Sequence, residues 1–181
     1  MAKIKSGRKM MRRLYVLIIC YWIGFACLNA YGSKIEYSVN NLGGSRFEYE
    51  YSITNDALAV PIEEFTLWFD VDHYSNLIIT TSEPLTSQWN EIILQDTGFG
   101  VPIGYDALEQ TGGIPISKTL TGFSVSFNWL GIGNPGTQFF EIINPITFET
   151  IDSGYTIPVP EPVTLLLIGL GGLLICRKNK S

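Results

Sequence analysis

The stretch Phe47-Glu48-Tyr49-Glu50-Tyr51-Ser52-Ile53 alternates apolar and polar residues at every step. Successive side chains of a strand point to opposite faces, so Phe47, Tyr49, Tyr51 and Ile53 share one face and Glu48, Glu50 and Ser52 the other. That is the pattern of a strand half buried against a core. Phe65, Leu67, Phe69 and Val71 repeat it with Thr66, Trp68, Asp70 and Asp72 opposite, and Phe123, Val125, Phe127 and Trp129 repeat it again with Ser124, Ser126 and Asn128. Further strand candidates occupy residues 34–39, 77–81, 89–95, 139–143 and 150–157, and no apolar pattern of period 3.6 supports a helix among them. Turn residues separate the runs: Asn40-Asn41-Leu42-Gly43-Gly44, Asn55-Asp56, Ser82-Glu83-Pro84, Gly112-Gly113, residues 131–136 and Asn144-Pro145. About eight short strands, each with one polar face, predict an antiparallel β-sandwich. Residues 97–116, rich in glycine and holding two prolines, are expected to form the longest loop, and residues 156–162 a short stalk.

The charge is segregated along the 181 residues. Lys3, Lys5, Arg8, Lys9, Arg12 and Arg13 crowd the start without an acid, whereas all seventeen acids lie between Glu36 and Glu161, balanced only by Lys34, Arg46 and Lys118. Such a surface repels phosphates, which excludes nucleic acid as a partner. Basic groups beside an apolar segment stay on the cytoplasmic side, so the two basic ends point inward and the acidic middle outward. Cys20, Cys27 and Cys176 all fall in the apolar end segments, which leaves the central domain without a disulfide or a cysteine metal site. Its length suffices to bury a core without such staples.

The first thirty residues read as a signal peptide: the basic cluster, an apolar run over 14–28, then Ala30 before the cut, with an exported chain beginning at Tyr31. Bulky Tyr21, Trp22 and Phe25 favour the alternative of an uncleaved signal anchor. At the other end, Pro160-Glu161-Pro162 precedes a fourteen-residue apolar run, 163–176, and then Arg177, Lys178 and Lys180. As a helix the run spans about 21 Å, short of a hydrocarbon core of about 30 Å. Pro160 and Pro162 keep Glu161 extended and accessible at the membrane surface, Gly169, Gly171 and Gly172 offer a small-residue face to another membrane helix, and Arg177 and Lys178 form the cytoplasmic stop.

A proline-flanked carboxylate, a short glycine-containing apolar helix and a terminal basic cluster, in that order, resemble the PEP-CTERM sorting signal of exosortase substrates. The resemblance implies recognition by an exosortase in the inner membrane, cleavage near Pro160, Glu161 and Pro162, and transfer of the new C-terminus to the cell surface. It divides the chain into a signal peptide (1–30), a β-sandwich ectodomain (31–157) and a sorting signal with a short transmembrane helix (158–181). A softer likeness to small proteins of that group runs through Tyr49-Glu50-Tyr51-Ser52-Ile53-Thr54-Asn55 and Leu120-Thr121-Gly122-Phe123-Ser124-Val125-Ser126-Phe127. The family resemblance as a whole implies a non-enzymatic surface or matrix protein, sorted by its tail and associated with exopolysaccharide or biofilm. A plain tail anchor is the alternative for the tail.

Chemistry-bearing residues are few. Gly131-Ile132-Gly133-Asn134-Pro135-Gly136 has the spelling of a dinucleotide loop, but Pro135 and the β-rich Thr137-Gln138-Phe139-Phe140 follow where a helix is required. His73 is the sole histidine, and no nucleophile has a recognisable setting. Asp70 and Asp72, two apart on one strand face with Glu63 and Glu64 near its start, offer hard oxygens for Ca²⁺; the alternative is an ordinary acidic solvent face, and no cofactor is expected. Trp68, on the outward face with them, and Trp89 are the candidates for stacking on a sugar ring, against the alternative of half-buried structural tryptophans. A carbohydrate- or other ligand-binding β-sandwich is therefore the second functional reading, and a hydrolase the third.

Overall fold

The computed structural model describes residues 32–56, 58–95 and 101–160; the expected signal peptide and the tail residues Glu161, Pro162, Arg177 and Lys178, with the short transmembrane helix between them, lie outside these. The described residues form ten strands: β1 (Lys34–Gly43), β2 (Arg46–Thr54), β3 (Glu64–Phe69), β4 (Tyr74–Ile79), β5 (Trp89–Leu94), β6 (Ile103–Glu109), β7 (Thr119–Trp129), β8 (Phe139–Ile143), β9 (Thr150–Tyr155) and β10 (Ile157–Pro158). They make two five-stranded sheets, ordered β10-β1-β2-β7-β4 and β5-β6-β3-β8-β9. The all-β sandwich foreseen from the alternation is the observed architecture. The count is ten strands instead of about eight, and β10 runs parallel to β1.

The alternation decides what lies between the sheets. Tyr49, Tyr51, Phe123 and Phe127 of the first sheet meet Phe65, Leu67, Phe69 and Tyr105 of the second, all essentially buried. Edge-to-face pairs join the sheets, with Phe65 and Phe123 centred 5.0 Å apart and Trp89 and Phe123 5.1 Å apart. Each such ring contributes about 1.5–3 kcal/mol by burial and about 0.5–1.5 kcal/mol more through the aromatic pairing. A polar cluster sits within this core: the Tyr49 and Tyr74 hydroxyls are 3.0 Å apart, Gln138 Nε2 donates to Tyr74 at 3.2 Å, and Tyr51 and Thr156 both donate to Gln138 Oε1 at 3.2 Å. Burial holds the hydroxyl pKa values of Tyr49, Tyr51 and Tyr105 above the ordinary tyrosine range.

Four expectations need correction. Residues 97–116 are not one long loop, because β6 runs through them between β5 and β3. Gly104 and the flanking glycines and prolines hide its Ile103, Tyr105, Ala107 alternation. The first strand does not stop at residue 39; it continues through Asn41 to Gly43, and the turn is made at Gly43 and Gly44, whose φ values of 109° and 59° suit a residue without Cβ. Strand β3 ends at Phe69, so Asp70 and Asp72 are not on a strand. Residues 156–162 do not begin as a free stalk: Thr156 is buried, and β10 pairs with β1 so that the Val159 amide donates to the Tyr37 carbonyl at 2.8 Å.

Candidate functional site

The outward face of the second sheet carries a row set by register. Leu94 of β5 pairs with Gly104 of β6, Gly104 with Trp68 of β3, Trp68 with Phe139 of β8, and Phe139 with Tyr155 of β9. Directly paired residues share a face, so three aromatic side chains stand side by side across adjacent strands. At about 4.8 Å per strand, Trp68 to Tyr155 covers about 10 Å. Phe139 and Tyr155 meet edge to face at 5.5 Å, and Tyr155 remains 68% exposed. The indole of Trp68 is fixed by its Nε1–H, which donates to Glu141 Oε2 at 2.8 Å, while Glu141 Oε1 accepts from Thr150 at 3.0 Å. Gly104 leaves the room that Trp68 needs: a Cβ there would lie 3.1 Å from Trp68 Cζ3 and 2.9 Å from Leu94 Cδ1.

Beside this row opens a cleft of about 640 Å³, bounded by Trp68, Phe139 and Tyr155 on the sheet, by Asp70 and Val71 after β3, and by Val101 and Pro102 before β6. Its floor is Tyr74 and Gln138, the two members of the core hydrogen-bond cluster that reach it, so the base of the cleft is held by buried bonds. Asp70 stands at the lip. Its carboxylate accepts from the Asp72 amide at 3.0 Å and lies 2.8 Å from His73 Nδ1, and these two bonds, the first the stronger, hold its pKa below the ordinary range. His73 in turn stacks on Trp129, with ring centres 5.5 Å apart. The next outward row reads Ile92, Asp106, Thr66, Glu141 and Ser153 in register. Asp106 accepts from Thr66 at 2.7 Å, and burial raises its pKa.

No protein-family model matches this chain, and no curated protein matches it. Among solved structures it is similar to a family 3b carbohydrate-binding module from the biomass sensoring system of Clostridium clariflavum. The likeness covers 68% of this chain and 97% of that one at 9% identity, with a TM-score of 0.43.

Of the residues singled out in the sequence, Trp68 and Asp70 come together at the cleft. Trp89 does not: it is 3% exposed and packs in the core against Phe65 and Phe123. Asp70 and Asp72 occupy the turn between β3 and β4, where the Asp72 amide caps the Asp70 carboxylate. Glu64 lies six residues back at the far end of β3, about 20 Å away at about 3.3 Å per residue, so the four acids do not gather around one ion. No group of three or more metal-ligating side chains occurs among the described residues. Pro160 is exposed just beyond β10. The sequence reading missed Phe139 and Tyr155; the available signal was an aromatic on each face of one strand, Phe139 and Phe140, which alternation alone does not resolve.

Proposed function

We propose that this chain is an exported surface or matrix protein, sorted through its Pro160-Glu161-Pro162 tail, whose sandwich binds a carbohydrate across Trp68, Phe139 and Tyr155. The observation that carries the binding role is the in-register aromatic row bordering a cleft. The C–H faces of a pyranose ring stack on flat aromatic surfaces, and the rigid floor and the pinned indole pre-organise that surface. The carboxylates nearby accept hydroxyl hydrogens. Binding without catalysis fits the lining: glycoside hydrolysis uses two carboxyl groups, one of them with a raised pKa, and among the described residues that line the cleft Asp70 is the one acid, its pKa lowered. The N-terminal basic and apolar segments, the acidic middle and the tail support export and sorting.

A glycan array followed by titration calorimetry tests the binding role. Tyr155→Ala, which truncates an exposed ring, is expected to weaken binding about tenfold or more with an unchanged melting temperature. Affinity equal to the parent's in both Tyr155→Ala and Trp68→Ala would remove the cleft as the binding site.

A further inference from the structure

The electrostatics of the cleft narrow the class of carbohydrate. We infer, resting on the glycan-binding reading above, that the ligand is a polysaccharide bearing free amino groups, and that the same surface rejects acidic polysaccharides. The three lysines and arginines among the described residues, Lys34, Arg46 and Lys118, all lie elsewhere. Lys34 is on β1 of the first sheet, paired with Glu36 at 3.1 Å. Arg46 is on β2, where it donates to Ser126 at 2.7 Å on the outer face of that same sheet. Lys118 lies beside Asn55, just past the end of β2, whereas the cleft sits where β3 ends and β8 begins. The second sheet's ten-residue outward field of aromatic and polar rows thus contains Asp106 and Glu141, with Asp70 at its edge, and not one cation.

A uronate or sulfated sugar laid on this face would set its charge against Asp70 and Glu141, with no lysine or arginine to offset it and the nearby His73 ring already spent on Asp70. An ammonium group meets the opposite situation. Each oxygen of the Asp70 carboxylate has two lone-pair positions and spends one on Asp72 or His73, so each keeps an open acceptor position at the lip of the cleft. Asp70 stays ionised across the range in which an amino sugar is charged, because its pKa is held low. The aromatic faces of Trp68 and Tyr155 add an attraction that a cation feels and a neutral hydroxyl does not. A row of rings bordered by carboxylates, with His73 bound to Asp70 and no lysine or arginine beside it, is therefore matched to a sugar that presents an apolar ring face and a positive substituent together.

The test compares four short oligosaccharides with the purified full chain by calorimetry, at low and at high salt: glucosamine oligomers, their N-acetylated counterparts, glucose oligomers and uronate oligomers. Glucosamine oligomers are expected to bind about tenfold tighter than the acetylated ones, with the preference shrinking as salt rises, and uronate oligomers are expected not to bind. Asp70→Asn, which keeps an acceptor and the turn, should bring the glucosamine and N-acetyl affinities close together, the loss falling far more on glucosamine oligomers than on glucose oligomers. Glucose and acetylated oligomers binding as well as glucosamine, with Tyr155→Ala abolishing all three, would overturn the amino-sugar inference and leave the glycan-binding reading standing. Failure of all four to bind would overturn the amino-sugar inference, and a blank glycan array besides would sink the glycan-binding reading.

Discussion

Asp106 shows at the scale of one residue how burial writes a pH dependence into this sandwich. Burial raises its pKa while the Thr66 hydroxyl opposes the rise, and burial together with the charge of Asp106 also raises Glu64. A folded-state pKa above the unfolded value means that the folded chain binds more proton in the window just above the ordinary aspartate range. The contribution is complete below that window and is lost as pH rises through the folded pKa. Asp106→Asn keeps an acceptor for Thr66 and removes the buried charge, so its melting temperature should exceed that of the parent at neutral pH by a few degrees, with the gap closing on acidification. Scanning calorimetry at several pH values reads this, and a constant gap or a lower neutral value contradicts it. At this same scale the tryptophans divide. Trp68 faces outward, as the clean alternation with Phe65, Leu67 and Phe69 implies. Trp89 sits in a run where Trp89 and Ile93 lie on one face and Ile92 and Leu94 on the other, so both faces read as apolar and only packing shows which is inward.

Among the elements, β6 was the least legible in sequence and matters most to the site. Its Gly104 lowers strand propensity, yet only a residue without Cβ lets Trp68 and Leu94 close over it. Gly104→Ala is expected to displace the indole, weaken the Trp68 to Glu141 hydrogen bond and cost about 1–3 kcal/mol of stability by overpacking, with glycan affinity falling in parallel. Tryptophan fluorescence and a denaturant melt report it; an unshifted spectrum at unchanged stability would show that the row does not depend on this gap. The sheet edges are protected by recognisable devices. On the outer strands β5 and β9, Glu91 and Asp152 turn inward, Glu91 accepting from Thr81 at 2.6 Å and Asp152 from the Ser33 amide at 2.6 Å. Just past β10, Val159 directs its amide at Tyr37, so the alternate positions Pro158 and Pro160, which lack a donor, face away from β1 and leave that edge poor in free amides.

For the whole molecule, the fold holds the chain as far as Val159, two residues before Glu161, at the edge of the first sheet. If the tail is a sorting signal, Glu161→Ala in a host that has an exosortase should leave a longer precursor bound to the inner membrane, because the apolar run with Arg177 and Lys178 still provides a stop. Fractionation and immunoblotting would show it, and a variant of unchanged size and location would leave a simple tail anchor instead. The sequence by itself determined the all-β class, the inward faces of β2, β3 and β7, and the separation of acids from bases, with the apolar and basic runs confined to the two ends. Each of these rests on period-two alternation or on local composition, which a strand carries wherever it is placed. Only the tertiary structure decided the cleft. Trp68 and Glu141 are 73 residues apart in sequence, and Phe139 and Tyr155 join Trp68 because β8 pairs with β3 on one side and β9 on the other in one particular register. Strand order and register are non-local choices, fixed by how ten strands jointly bury their apolar faces, and the alternation within any one strand is compatible with many of them.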